Sequence, residues 1–358
     1  MTNTPLAAPT PVTADPELVA LLADVFGEHK PSPERTSGEL DPDLWTLLEN
    51  LGLTRLTGSE SRGGSGGSWR DAAALQNAAA AHGIQLPLAE HDLLAHWLLE
   101  VTDLPAPDGV LTIAQVSAAN TARGVPWAGR ADGIVVVRDT GDGRYELGVG
   151  SPADVAIDNS RNLAGEPRDA ITLPRGIHQP VEVPPTVVAS LRRRAALIRA
   201  VQICGALDAA VAATVRHTTD RVQFGRSLSQ FQAVQHRLAD AAAEAALARA
   251  ATWAALDEAV STDFASPGLD VSIAVARSCA GHAASVVVRA AHQLHGAIGT
   301  TREHSLHQLT MPILAWTNEF GTLAEFDDFL TRAAIASEVA GGQGAAGGVW
   351  SLLSDPPH

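Results

Sequence analysis

The chain has 358 residues, 46% of them hydrophobic, and a formal net charge of −15. That apolar content excludes an intrinsically disordered chain, and the length allows two or three domains around a large core. The acidic balance excludes broad electrostatic capture of nucleic acid or of an anionic membrane surface. Cys204 and Cys279 are the only cysteines, too few for a disulfide framework, and both read as buried free thiols in apolar helical runs. No apolar run reaches the roughly 18 residues of a membrane span. Residues 1–15 are polar and Pro-rich, without the basic-then-apolar order of a signal peptide, so a cytoplasmic protein is expected.

Residues 1–104 read as a helical domain. Asp15 can cap a helix opened by Pro16 and Glu17, with Leu18, Leu21, Leu22 and Val25 at helical spacing. A second helix starts near Asp41, holds Leu44, Leu47 and Leu48, and stops at Gly52. A third runs from about 68 to 82 and a fourth over 90–101. Gly63-Gly64-Ser65-Gly66-Gly67 precedes the third helix. No Lys-Ser/Thr follows it and no strand precedes it, so it reads as a flexible turn and not a phosphate loop.

Residues 105–183 change character. Short β-type runs occur at 110–114, 133–137, 144–149 and 154–157, and Asp142-Gly143 between two of them is a hairpin signal. A small antiparallel β domain is expected. From 184 to 338 the pattern predicts an antiparallel four-helix bundle. Leu197, Val201, Cys204, Leu207, Val211 and Val215 mark its first stripe, and Leu228, Phe231, Val234 and Leu238 its second. The third helix is expected over 271–295 and the fourth over 318–336. Residues 339–358 read as a flexible Gly/Ala-rich tail. Helices and strands are segregated, giving an α+β, mostly α fold and arguing against a doubly wound dinucleotide fold.

Two segments carry chemistry. The first is Arg221-Val222-Gln223-Phe224-Gly225, followed by Gln232 in the next helix. A guanidinium at a helix boundary can pair with a phosphate through two parallel hydrogen bonds, Phe224 can lie against a flat ring, and Gln232 offers a donor and an acceptor. The second is Gln293-Leu294-His295-Gly296-Ala297-Ile298-Gly299, followed by Thr301-Arg302-Glu303-His304, whose glycines allow close backbone approach. Residue types alone leave open an ordinary helix–helix turn and a Gly-rich helix stop. His292, His295, His304 and His307 are dense, but no nearby Cys or Asp pair completes a ligand set, and no metal is assigned. Arg192-Arg193-Arg194 reads as solvated, with contact to the phosphates of coenzyme A or to a partner's acidic face as the sharper alternative.

The order and spacing of these two segments resemble the acyl-CoA dehydrogenases. The alignment runs without a gap from Gln293 through Gly321-Thr322, and more weakly over the whole chain; 45–53 resembles the family's amino-terminal helix and 125–132 the segment leading into its β domain. The stretch 295–307 is most similar to actinobacterial members acting on steroid or other bulky acyl-CoA thioesters. The resemblance implies a helical domain, a β domain and a four-helix bundle, FAD as cofactor, and α,β-desaturation of an acyl-CoA thioester. It further implies that Arg221, Phe224, Gln232, Gln293, Gly296 and Thr322 contact FAD, largely across a subunit interface.

The chain departs from the family pattern in three places. The usual catalytic Glu precedes Gly-Thr; here Phe320 precedes Gly321-Thr322. Glu319 is adjacent, but one residue turns a side chain about 100° around a helix, so Glu319 would need a shifted helix start. Phe320 is expected to pack with Leu323, Phe326 and Leu330. The base position of other members falls near Ala195, where no carboxylate stands. The flavin-contacting Thr-Glu-Pro-x-Ala-Gly-Ser-Asp stretch of the β domain is missing, and that domain is shortened. The resemblance therefore implies the base-lacking member of an α2β2 heterotetramer with a homologous subunit and an acyl-CoA substrate; from the charge and the short apolar runs, no nucleic-acid or membrane partner is expected. A self-sufficient homotetramer with a displaced base and a flavin-free CoA-ester-binding scaffold are the alternatives.

Overall fold

The computed structural model describes residues 14–29, 38–174, 176–177, 179–301 and 303–340. Most of the expected tail and of the polar amino terminus, and Arg302 of the second motif, lie outside these residues. Three N-terminal helices start on side-chain caps. Asp15 accepts from the Glu17 N–H ahead of α1 (Pro16–Glu28), Asp41 accepts from the Leu44 N–H ahead of α2 (Pro42–Asn50), and Ser68 and Asp71 exchange a capping box at α3 (Trp69–Ala81). Leu21 and Leu47, expected on the apolar stripes, stay exposed, while Phe26 is buried at 1% exposure. The glycine loop is not a loose turn. Ser65, Gly66 and Gly67 donate backbone hydrogen bonds to Arg55, Gly58 and Leu56. Gly64 lies so close to Gly58 that a Cβ there would meet backbone at 2.2 Å.

The expected fourth helix winds as a π-helix over Ala89–His96 before continuing as α4 (Trp97–Val101). Every residue of the π-helix is buried, including Glu90, His91, Asp92 and His96. Its wider turn is a form concentrated at functional sites. The ends of its polar side chains fix the neighbours: His91 Nδ1 accepts from the Leu111 N–H, and Asp92 accepts from the Thr57 N–H and hydroxyl.

Strands β1 (Leu111–Val116), β2 (Thr121–Pro126), β3 (Gly133–Asp139), β4 (Tyr145–Gly150), β5 (Ala156–Asp158), β6 (Arg168–Thr172) and β7 (Val181–Val183) form two sheets, β1-β3-β4-β7 and β2-β6-β5. The expectation of a wholly antiparallel region fails at β1, which pairs parallel with β3 from Leu111↔Gly133 to Val116↔Arg138. After β1 the chain crosses to the second sheet as β2 and returns to the first in the same direction, and a parallel pair needs such a crossover. The β3–β4 hairpin turns at Gly141 and Gly143, both at positive φ, where the Asp-Gly signal placed it.

Helix α5 (Pro185–Asp220) is followed by a two-residue hairpin, β8 (Val222–Gln223) and β9 (Arg226–Ser227), then α6 (Gln232–Ser261), α7 (Leu269–His295), α8 (His307–Trp316) and α9 (Leu323–Ala340). Contacts Arg249–Asp208, Arg193–Asp270 and Ser278–Asp327 set α5, α6, α7 and α9 up-down-up-down. Helix α8 was not expected, and α9 starts at 323 instead of 318. Phe320 (φ 53) and Gly321 (φ 108) are in non-helical conformations, and Thr322 then accepts from the Glu325 N–H to begin the helix. The second stripe was misplaced: Leu228, Phe231, Val234 and Leu238 are half-exposed, and α6 buries Ala241, Ala245, Ala248 and Thr252 instead. Small residues let the helices approach closely, as at Gly205, where a Cβ would meet the Asn77 carbonyl oxygen at 2.3 Å. Cys204 is a buried thiol and Cys279 only half-buried. By length and composition α5 and Leu269–Thr300 could cross a membrane, contrary to expectation, yet 78% and 56% of their apolar windows are buried inside the protein.

Candidate functional site

The residues singled out from sequence divide between the two ends of α7. At its C-terminal end, Phe224 (φ 53) and Gly225 (φ 79) occupy the two central positions of the β8–β9 turn, the combination a type I′ hairpin requires. The turn pushes Phe224 outward to 92% exposure. Arg221, Gln232, Gln293 and Gly296 are likewise exposed. The Cβ positions of Gly225 and Gly296 would meet nothing within 4 Å, so a flat or phosphate-bearing group can approach both backbones. Arg216, His217, Arg221 and His304 line an open pocket of about 410 Å³ between α5 and the segment after α7. The structure thus brings Arg221 beside the second motif.

His217 was not singled out, although it stands four residues before Arg221 on the same helix face. Its ring stacks on His295 with centroids 4.2 Å apart, and His304 stands edge-on to His295 at 4.8 Å. Burial drives the His295 pKa down to about 4, against the hydrogen bond between Nδ1 and the Ala291 carbonyl oxygen. Burial and the neighbouring His304 and Arg221 also lower His217. His292 and His307 do not join: His292 bonds the Thr310 hydroxyl, and His307 the His304 carbonyl oxygen.

Thr322 does not belong to this end. Its N–H and hydroxyl donate to Glu325. The Gly321 carbonyl beside it accepts from Arg277, which stands 18 residues before His295 on α7, about 27 Å away at 1.5 Å per residue.

That other end holds Glu319 and Phe320. Glu319 Oε1 accepts from Arg168 Nε at 2.7 Å and Asn162 Nδ2 at 2.9 Å. Its Oε2 lies 2.9 Å from Arg168 and 2.8 Å from Arg199. Four donors fill the acceptor capacity of a carboxylate. Burial works against the charge, but the guanidiniums of Arg199 and Arg168 outweigh it and hold the pKa below the usual carboxylate range. Arg199 also pairs with Glu90 of the π-helix at 2.7 Å and bonds Gln202, which bonds Gln76 of α3. Arg168 pairs with Glu166, which accepts from the Trp316 indole N–H at 2.9 Å. Arg277 donates to the carbonyls of Trp316, Thr317, Glu319 and Gly321. One buried polar network therefore joins the N-terminal helices, the β region and the bundle at the point where a base was sought.

Phe320 does pack, but not on a stripe with Leu323, Phe326 and Leu330. It lies outside α9 and joins the cluster built from Leu94, Leu98, Val135 and Leu191, 5.0 Å from the Arg199 guanidinium. Ala195 is buried at 2%. Only Arg192 of the arginine run is exposed. Arg193 forms a two-pronged pair with Asp270, and Arg194 is buried over the rings of Phe264 and Trp97 at 4.0 and 4.2 Å.

Helices, a small two-sheet β region and long antiparallel helices, in that order, with a cation-bearing hairpin at one end of the bundle, define a three-part helix–β–bundle class. The known proteins sharpen it. Residues 189–324 match the acyl-CoA dehydrogenase C-terminal domain. The acyl-CoA dehydrogenase IpdE2 of Mycobacterium tuberculosis is 30% identical over 271 residues, 75% of this chain and 79% of that protein. Its namesake from Mycolicibacterium smegmatis is 29% identical over 81% of this chain and 88% of its own length. Among solved structures, the ChsE4-ChsE5 complex from Mycobacterium tuberculosis superposes with a TM-score of 0.80 at 21% identity, over 90% of this chain and 97% of that one. The Tcur3481-Tcur3483 steroid ACAD, a G363A variant, gives 0.77 at 22%, over 90% and 98%. The chain belongs to the acyl-CoA dehydrogenase family of oxidoreductases.

Proposed function

We propose that this chain is the base-lacking subunit of an FAD-dependent acyl-CoA dehydrogenase, assembled with a homologous subunit that carries the base and acting on a steroid-type or other bulky acyl-CoA thioester. The observation that carries the reading is the state of Glu319. The one carboxylate next to the expected base position is saturated by Arg168, Arg199 and Asn162, and Phe320 beside it has no proton-accepting group. A carboxylate held by two guanidiniums is a weak base. Two solved structures with this fold, the ChsE4-ChsE5 complex and the Tcur3481-Tcur3483 steroid ACAD, each pair two named proteins.

The residues at the hairpin end fit the outer half of FAD. Arg221 and Arg216 offer guanidiniums to a pyrophosphate, Phe224 offers an exposed ring face, and the open space at Gly225 and Gly296 admits the group without a clash. Gln232 and Gln293 are exposed amides able to bond an adenosine. Bound flavin supplies the acceptor for the hydride that leaves the thioester's β carbon. This chain's part is to hold the cofactor's anionic end and exclude water from it, with Arg221 and Phe224 reaching past its own surface. The domain limits 104/105, 183/184 and 338/339 belong to this reading, and Thr322 is the weakest of its contacts.

The test is Arg221→Ala in the complex co-purified from the native host. Flavin content should fall at least tenfold while the assembly stays intact. Unchanged flavin content would remove the trans-contact role.

A further inference from the structure

We infer that His217, His295 and His304 form a binding site for a borderline divalent transition-metal ion of the Zn2+ kind. One ring nitrogen from each lies within 4.8 Å of the others. The three come from α5, the end of α7 and the segment after it, so an ion would clamp two separate stretches of chain. His295 is 95% buried, and its Nε2 has no hydrogen-bond partner among the described residues. An orphaned buried nitrogen costs free energy unless something fills it. Its Nδ1 is engaged with the Ala291 carbonyl oxygen at 2.8 Å, and such a bond fixes the tautomer that leaves Nε2 as a lone-pair donor.

The geometry is close to a ligand set without being closed. Zinc sits about 2.0–2.1 Å from imidazole nitrogen in a tetrahedron, so neighbouring nitrogens end up about 3.3 Å apart. The widest gap here must close by about 1.5 Å, and His217 must turn out of its stack on His295, since nearly parallel rings do not aim their lone pairs at one point; His217 and His304 are both partly exposed and free to rotate. His304 Nδ1 accepts from the Leu306 N–H at 3.1 Å, so binding through Nε2 moves that ring's proton to Nδ1 and gives up the Leu306 contact. His304 is therefore the weakest of the three ligands. His217 and His304 line the pocket that Asp220 and Arg221 also line, from which water can reach a bound ion. The ion would add to the positive charge that Arg216 and Arg221 present there. The inference does not depend on the proposed function.

The test uses the full-length, tag-free, flavin-free chain after treatment with a chelator. Isothermal titration with Zn2+ should show one saturable site per chain, and Co2+ should give the intense visible bands of a low-coordinate nitrogen site. His217→Ala and His304→Ala should each weaken Zn2+ binding at least tenfold, with His217→Ala the larger loss. Substituting exposed His236, which lies outside the cluster, should change nothing. If His295→Ala unfolds the chain, the first two variants still decide, since both alter partly exposed side chains. No saturable Zn2+ binding by the parent chain, or affinities within twofold across all variants, would overturn the inference. Neither result would touch the flavin measurement above.

Discussion

The two ends of α7 follow opposite rules. Around Arg277 the charged groups face inward: Glu319, Arg168, Arg199, Glu90 and Glu166 pair with one another in a network that joins all three parts of the chain, while Nε of Arg199 and Nε and Nη1 of Arg277 have no hydrogen-bond partner among the described residues. At His295, about 27 Å further along the helix, polar and aromatic groups face outward and an open pocket separates α5 from the following segment. In this chain the first end is a structural joint and the second an exposed surface. The lesson is that a carboxylate beside a candidate base position can be taken up by the contacts that hold the fold.

Breaking the joint should produce the largest effects. Arg199→Ala strips the cation shared by Glu90 and Glu319, both deeply placed, and should cost about 3–5 kcal/mol in urea unfolding, as removal of one partner from a buried ion pair does. A loss below about 1 kcal/mol would mean the network does not tie the parts together. Glu319→Gln keeps the shape but weakens four contacts, and about 2 kcal/mol should go. In the assembled enzyme the same variant should leave kcat within twofold; a drop of several orders of magnitude would return Glu319 to the role of base.

Acid should find the same end of the molecule. The His96 pKa is lowered by burial, and then by Arg55, from 6.5 to about 4. A depressed histidine favours the folded state fully above pH 6.5, and that stability is lost as pH falls from 6.5 towards 4. Glu319, held below its ordinary range, adds a loss of the same sign at still lower pH. His96 therefore lowers the urea midpoint between pH 7 and pH 4.5, against the opposite contribution of Asp92, whose pKa burial raises to about 7, and His96→Gln should remove that lowering. At the exposed end the effect on stability should be smallest. Phe224→Ala should change unfolding by less than about 0.5 kcal/mol while lowering flavin retention in the complex. A large loss of stability there would mean that the hairpin supports the fold.

How much of this could be read from sequence follows from distance along the chain. Local signals were legible: Asp15 as a cap, helix starts near 41 and 68, Gly52 as a stop, Asp142-Gly143 as a hairpin. The exposed motif was legible too, because each half is contiguous. The joint was not, since Arg199 meets carboxylates 109 and 120 positions away. A signal did exist in the lone Arg199 inside the apolar run Leu197-Ile198-Arg199-Ala200-Val201, since a cation there must find buried partners. The π-helix escaped because periodicity does not separate it from an α-helix. The fourth bundle helix was begun too early because apolar spacing carried the reading across Phe320 and Gly321, where the backbone turns to positive φ.

The central claim, that this chain grips a cofactor whose chemistry needs a base on another chain, is tested most directly by counting flavin and turnover in two preparations. The chain purified alone should hold no stoichiometric FAD and show no acyl-CoA oxidation. The complex with its homologous partner should hold one FAD per pair of chains and turn over. Stoichiometric FAD together with acyl-CoA turnover in the chain alone would contradict the account.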